Sequence, residues 1–221
     1  MTPECVIMAA MIPPNGRGSR SRGTLLLADI SGYTGFLNGV AAAHRALILD
    51  ADEPPAAYAV LSRLLDAMLA AIEPTFRLAK FEGDAIFAVA NGTLPHGSAV
   101  LDCIHACYEA FREQLGLAGS QWTCTCTACV RIHDLDLKFV LHHGDYVVHR
   151  IANQEELAGP DVIVAHRLLK NHARDLVGNR PYALLSNAAL EALDVPAEGM
   201  LAGVETYDDL PSLRVHVLAL T

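Results

Sequence analysis

The sequence predicts an α+β domain built on a largely antiparallel sheet, and three stretches carry that expectation. Leu25–Ala28 is an unbroken apolar run, short enough for a strand covered on both faces. Between Ala56 and Ile72, apolar residues recur at Ala57, Val60, Leu61, Leu64, Leu65, Met68 and Leu69, the stripe of an amphipathic helix laid on a sheet. Thr75–Phe81 and Ala85–Ala90 are separated only by Glu82-Gly83-Asp84, which reads as a tight hairpin with Gly at the turn. Hairpins and helices in mixed order give α+β, not a regular βαβ alternation.

The remaining elements follow in order. Gly35–Leu49 is Ala-rich and helix-prone, and Asp50–Pro55 is a polar break. Pro74 stops the amphipathic helix, and Asn91–Gly97 is a loop. Ser98 is a plausible N-cap for a helix running to about Leu115. Gly116–Thr123 is a further loop. Leu135–His142 reads as a strand, with Asp145–Ile151 as its hairpin partner across Gly144. A polar segment, Ala152–Glu156, precedes a helix at about Val162–Asn171. Tyr182–Leu185 is a strand, Asn187–Leu193 a short helix, and Glu205–Asp209 with Leu213–Leu220 a closing pair of strands.

With 221 residues, 52% of them hydrophobic and 19% charged, the chain has enough apolar mass for one globular core. The expected division is a flexible tail over residues 1–23, with Met11 as a second candidate start, and a single domain over 24–221. A formal charge of −9 argues against a nucleic-acid backbone or an anionic membrane surface as partner. No apolar run reaches the length of a membrane span. Six cysteines, five of them in two tight groups, suit a reducing compartment, and the cytoplasm is the expected location.

Two carboxylates stand out. Asp29 ends the buried strand just before Ser31-Gly32 turns the chain toward a helix. A carboxylate there needs a partner, either a cation or the N–H donors of the next helix start. Asp84 projects from the hairpin tip, near Lys80. Two carboxylates at strand ends are the minimum for clamping a divalent cation on a polyphosphate.

The motifs Asp29-Ile-Ser-Gly-Tyr-Thr34 and Lys80-Phe-Glu-Gly-Asp84 resemble the catalytic homology domain of the class III adenylate/guanylate cyclases. Leu141-His-His-Gly144 and Leu157-Ala-Gly-Pro-Asp-Val-Ile-Val-Ala-His-Arg-Leu168 extend the likeness over about residues 24–190. More narrowly, the chain resembles an uncharacterised, DUF2652-like subgroup with a cysteine-rich insertion, here at about 116–131. The resemblance implies a ferredoxin-like βαββαβ core. It implies Mg²⁺ or Mn²⁺ held by Asp29, Asp84 and the backbone carbonyl of Ile30, and a nucleotide base read by Lys80 with Glu156. A surface ion pair is the alternative reading of Lys80 and Glu156. Arg167 matches the arginine that contacts phosphates in the transition state. Four residues earlier, where the resembled enzymes carry a ribose-orienting Asn, stands Ile163, which donates nothing. No clear Lys for the terminal phosphates is present, and Glu205, Asp208 and Asp209 crowd the candidate region. The resembled site is shared between two chains, so a second copy is the implied partner. The expectation is a degenerate cyclase-like domain that binds metal and a nucleotide or phosphate ligand with weak or no cyclase activity. An active cyclase and a zinc-stapled, non-enzymatic interaction domain are the alternatives.

The cysteines form the other cluster. Cys103 and Cys107, four apart on a helix, share one face, and Cys124, Cys126 and Cys129 lie on the following loop. Four thiolates close a tetrahedral zinc site at such spacings. Alternatively, Cys103 and Cys107 are small core residues.

Overall fold

The computed structural model describes residues 18–45, 56–91, 97–122, 124–151 and 154–221. Residues 1–17 of the expected tail over 1–23, the end of the expected first helix at 46–49, the break at 50–55, residues 92–96 of the expected loop over 91–97, residue 123 and residues 152–153 lie outside them.

β1 (Ser19–Ser31) leads into α1 (Tyr33–Ala43), α2 (Ala56–Ile72), the hairpin β2 (Arg77–Glu82) and β3 (Ala85–Asn91), and α3 (Gly97–Gln121). A 3-10 segment, Cys129–Asp134, precedes β4 (Asp136–Ile151) and β5 (Gln154–Ala158). Then come α4 (Pro160–Leu168), α5 (Ala173–Val177), β6 (Tyr182–Ser186), α6 (Asn187–Ala192), β7 (Leu201–Tyr207) and β8 (Leu210–Ala219). The strands form one sheet in the order β2-β3-β1-β4-β6-β8-β7, with β5 paired to β4. Only the β4–β6 pair is parallel. The order β4-β1-β3-β2 within it is the ferredoxin-like core, so the α+β expectation holds.

β1 alternates between two apolar layers. Leu26, Ala28 and Ile30 pack under α1, α2 and α3, while Leu25 and Leu27 face α4 and α5 with Phe87, Val89 and Val140. Both faces are covered, which is why the run reads as continuously apolar. The α2 stripe lies on the first layer, with Val60, Leu64, Met68 and Ile72 buried. Gly83, at φ 67, makes the β2–β3 turn. Among the described residues no helix is long and apolar enough to cross a membrane.

Three expectations are corrected. β1 begins at Ser19, inside the expected tail, because residues 19–23 pair with Val148 to Gly144 of β4. Asp136–Ile151 is not a hairpin across Gly144 but the single strand β4, in which Gly144 pairs with Gly23. Gly144 is there for space, since a Cβ would overlap the Asp161 carboxylate. α3 runs past Leu115 to Gln121, shortening the expected loop.

That carboxylate belongs to a buried polar network. His142 Nδ1 meets Ser186 Oγ at 2.8 Å and Nε2 meets Asp161 Oδ1 at 3.2 Å. Ser186 Oγ also caps α6 by accepting from the Ala189 N–H at 3.2 Å. The hydroxyl therefore donates to Nδ1 and the Nε2–H to Asp161, whose second oxygen accepts the Asp145 N–H at 2.6 Å. Burial holds the His142 and His143 imidazoles below their ordinary value. Just below about pH 6.5 the unfolded chain therefore binds protons that the folded chain refuses. Stability should fall as pH drops through that window and level off below the folded values. His172, held up by its hydrogen bond to Glu205, works in the opposite sense, but its side chain is 70% exposed and contributes little. Urea midpoints at pH 7.5 and 5.5 check this; a midpoint unchanged or higher at pH 5.5 contradicts it.

Candidate functional site

Asp29 and Asp84 are brought together by the sheet. Asp29 pairs with Ala85 across β1 and β3, and the Ile30 N–H donates to the Asp84 carbonyl at 3.2 Å. Both aspartates and Ile30 line one cavity of about 440 Å³, with residues 31–35, Lys138, Asn171 and Arg174. Its floor is the start of α1, where Gly32 takes the N-cap at φ 88 and so brings no capping side chain of its own. The N-cap position is thus Gly32 and not Asp29. Desolvation, and then the charge of Asp29, push the Asp84 carboxyl up from its ordinary value. Two carboxylates that repel in this way are poised to share a cation.

A cation is already beside them. Lys138, the cross-strand neighbour of Asp29 on β4, places Nζ 2.9 Å from Asp29 Oδ2 and donates to the Leu169 carbonyl at 3.2 Å. Tyr182 stands next in register on β6 and donates to Asn171 Oδ1 at 2.9 Å. Neither Lys138 nor Arg174 was among the residues expected from sequence. The signal for Lys138 was available: a partly buried charge between Leu137 and Phe139 in a strand, which needs a charged partner across the ladder.

The acidic residues expected to crowd the phosphate region are partly accounted for. Glu205 is buried and consumed, accepting the His172 N–H at 2.8 Å and pairing with His172 Nδ1 at 2.9 Å. Asp208 and Asp209 are exposed in the β7–β8 turn.

Lys80 and Glu156 meet at 3.1 Å, joining β2 to β5. Lys80 also reaches Glu82 at 3.2 Å, and Glu82 pairs with His166 Nε2 at 2.9 Å. Burial disfavours the Lys80 ammonium, but hydrogen bonds to Glu156 and Glu82 win and hold its pKa above the ordinary value. Arg167 and Ile163 are exposed on α4, outside the Asp29–Asp84 cavity.

The thiols divide differently from the expectation. Cys103 and Cys107 do not join the loop trio: each points at the backbone of α2, toward the Ala71 carbonyl at 3.8 Å and the Met68 carbonyl at 3.7 Å. Both are buried, and burial raises both pKa values. They are core residues, because the face of α3 they share is the face that packs on α2. Cys124, Cys126 and Cys129 gather instead around His44, at the end of α1. The Cys129 N–H on its sulfur pulls Cys126 down to about 6, whereas burial pushes Cys129 up to about 11.

A family model described as a protein of unknown function, DUF2652, matches residues 61–175, just over half of the chain. The chain belongs to the DUF2652 family. This DUF2652 chain is 32% identical over 136 residues to an uncharacterised protein of Mycobacterium tuberculosis, covering 61% of its own length and 60% of the relative's. It thus spans about three fifths of that relative. Among solved structures, the guanylyl cyclase Cya2 superposes with a TM-score of 0.62 at 16% identity, over 91% of this chain and 93% of that one. A class III adenylyl cyclase-like ATP-binding protein from Pseudomonas aeruginosa gives 0.56 at 16% identity, over 83% of this chain and 37% of that one. The fold is that of the class III cyclase domains.

Proposed function

We propose that this DUF2652 chain binds Mg²⁺ or Mn²⁺ and the phosphates of a nucleotide in the Asp29–Asp84 cavity, with weak or no cyclisation of its own. The convergence of both carboxylates on a cavity floored by a helix start with glycine at its N-cap carries this reading. Asp29, Asp84 and the Ile30 carbonyl would hold the metal, which would screen the phosphates. The first turn of α1 offers N–H groups and the positive end of its dipole. Lys138 and Arg174 line the same cavity and would face the anionic ligand. The ATP-binding cyclase-like neighbour offers a precedent for the fold used in binding.

Weak catalysis follows from Ile163. Losing one positioned donor costs about 10²–10³ in rate in other enzymes. Arg167, outside its own chain's cavity, would serve only the cavity of a second copy, so the reading includes a homodimer. An active adenylate or guanylate cyclase is the second reading, supported by Lys80 and Glu156 meeting at 3.1 Å, a pair that would read a purine edge.

Thermal melts with Mn²⁺ and ATP or GTP test the proposal. Ligand at 100 times its dissociation constant adds about 2.7 kcal/mol, or about 5–10 °C for a chain of this size. Asp29→Asn should abolish the shift. No shift with either nucleotide at millimolar concentration overturns the binding reading, and turnover to cyclic product in the same samples selects the second.

A further inference from the structure

We propose that His44, Cys124, Cys126 and Cys129 form a structural zinc site that ties the end of α1 to the insertion between α3 and β4. The four ligand atoms lie within 4.8 Å of one another. His44 Nε2 is 3.5 Å from Cys124 Sγ, 3.3 Å from Cys126 Sγ and 3.2 Å from Cys129 Sγ. One imidazole nitrogen carries either one proton or one lone pair, so it cannot hydrogen-bond three sulfurs at once. A metal explains the arrangement. With Zn–S of about 2.3 Å and Zn–N of about 2.0–2.1 Å, a tetrahedral centre sets N···S near about 3.6 Å. The three observed distances lie slightly inside that value.

The surroundings fit thiolates. The Cys129 N–H donates to Cys126 Sγ at 3.4 Å, a backbone donor of the kind that supports a ligating sulfur. The Trp122 indole N–H is buried without a hydrogen-bond partner among the described residues. Trp122 also packs edge-on against Phe36 of α1, with ring centroids 5.9 Å apart. Three sulfurs and one imidazole in tetrahedral reach, with no open ligand position, is the pattern of a closed zinc site. An iron–sulfur cluster would place inorganic sulfide between the thiolates and hold them further apart.

The placement gives the site a purpose. α1 begins at the floor of the Asp29–Asp84 cavity and ends one residue before His44. Zinc at its C-terminal end fixes the helix without contributing to the cavity itself.

Metal analysis of purified protein should find about one equivalent of zinc. Cobalt substitution should give the intense absorption of a tetrahedral thiolate site. His44→Ala should weaken retention at least tenfold against a chelator, and His44→Cys should restore it. Cys103→Ala with Cys107→Ala should leave the stoichiometry unchanged. Chelation should release three thiols to titration and lower the melting temperature. Absence of zinc with the Cys124, Cys126 and Cys129 thiols freely reactive, octahedral cobalt spectra, or full retention in His44→Ala would each overturn the proposal. Should His44→Ala fail to fold, the wild-type cobalt spectrum and thiol titration still decide. Asp29→Asn should leave the zinc content intact, which separates this site from the nucleotide cavity.

Discussion

Asp161→Ala should cost this protein about 3–5 kcal/mol. The carboxylate serves two donors, the Asp145 N–H at 2.6 Å and His142 Nε2 at 3.2 Å. Removing it strands a backbone N–H and the N–H of a buried imidazole, at about 1–3 kcal/mol each. It also removes the acidic residue from the first turn of α4, worth a further 0.3–1 kcal/mol on the order of a single dipole contact. A loss of that size lowers the melting temperature by about 8–15 °C. Asp161→Asn should recover part of it, since the amide oxygen still accepts from Asp145. Gly144→Ala adds a sharper check. It should destabilise the wild type, where its Cβ overlaps the Asp161 side chain from Cβ outward, and cost less in an Asp161→Gly background. A loss under about 1 kcal/mol in Asp161→Ala would show that solvent satisfies both donors.

Gly144 also marks where the sequence misleads. α2 and the β2–β3 hairpin are legible because their signals are local: a 3.6-residue stripe, and a Gly between two apolar runs. Gly144 looks like the same punctuation, but its cause is tertiary. The carboxylate of Asp161, seventeen residues on, occupies the space a side chain would take. The expected loop after Leu115 opens on Gly116 and contains Gly119. In the fold Gly119 lies inside α3 beside the exposed His133 ring, so the glycine does not mark the helix end.

The candidate sites divide on the same line. Asp29 and Asp84 stand out because each is a charge at the end of a buried strand. Cys103 and Cys107 carry the i, i+4 spacing of ligands and of core residues alike, and only the position of α2 decides between them. His44 is eighty residues from Cys124 and has no spacing to announce it. One chain cannot show on which face its own histidine meets a distant loop.

Lys138 bears most directly on the cation site. Lys138→Met should raise Mn²⁺ affinity at least tenfold, about 1.4 kcal/mol. The ammonium sits 2.9 Å from Asp29, with both side chains about four-fifths buried, so it already occupies the ground an incoming cation needs. Unit charges 4 Å apart interact by about 4 kcal/mol at an effective dielectric of 20. The ammonium can swing away when metal binds, and only part of that repulsion is realised. Methionine keeps most of the stem's apolar packing and removes the charge. The same substitution should destabilise the metal-free protein by about 1–3 kcal/mol, because Asp29 loses its counter-charge beside Asp84. Added Mn²⁺ should then recover the lost stability, and more so than it stabilises the wild type. The two effects must appear together. Calorimetric Mn²⁺ titrations and melts with and without the ion measure both, with Asp84→Asn as the control that loses binding. Unchanged Mn²⁺ affinity in Lys138→Met would place the ion away from Asp29. In that case the Asp29–Lys138 pair would be a cross-strand clasp that holds β1 to β4.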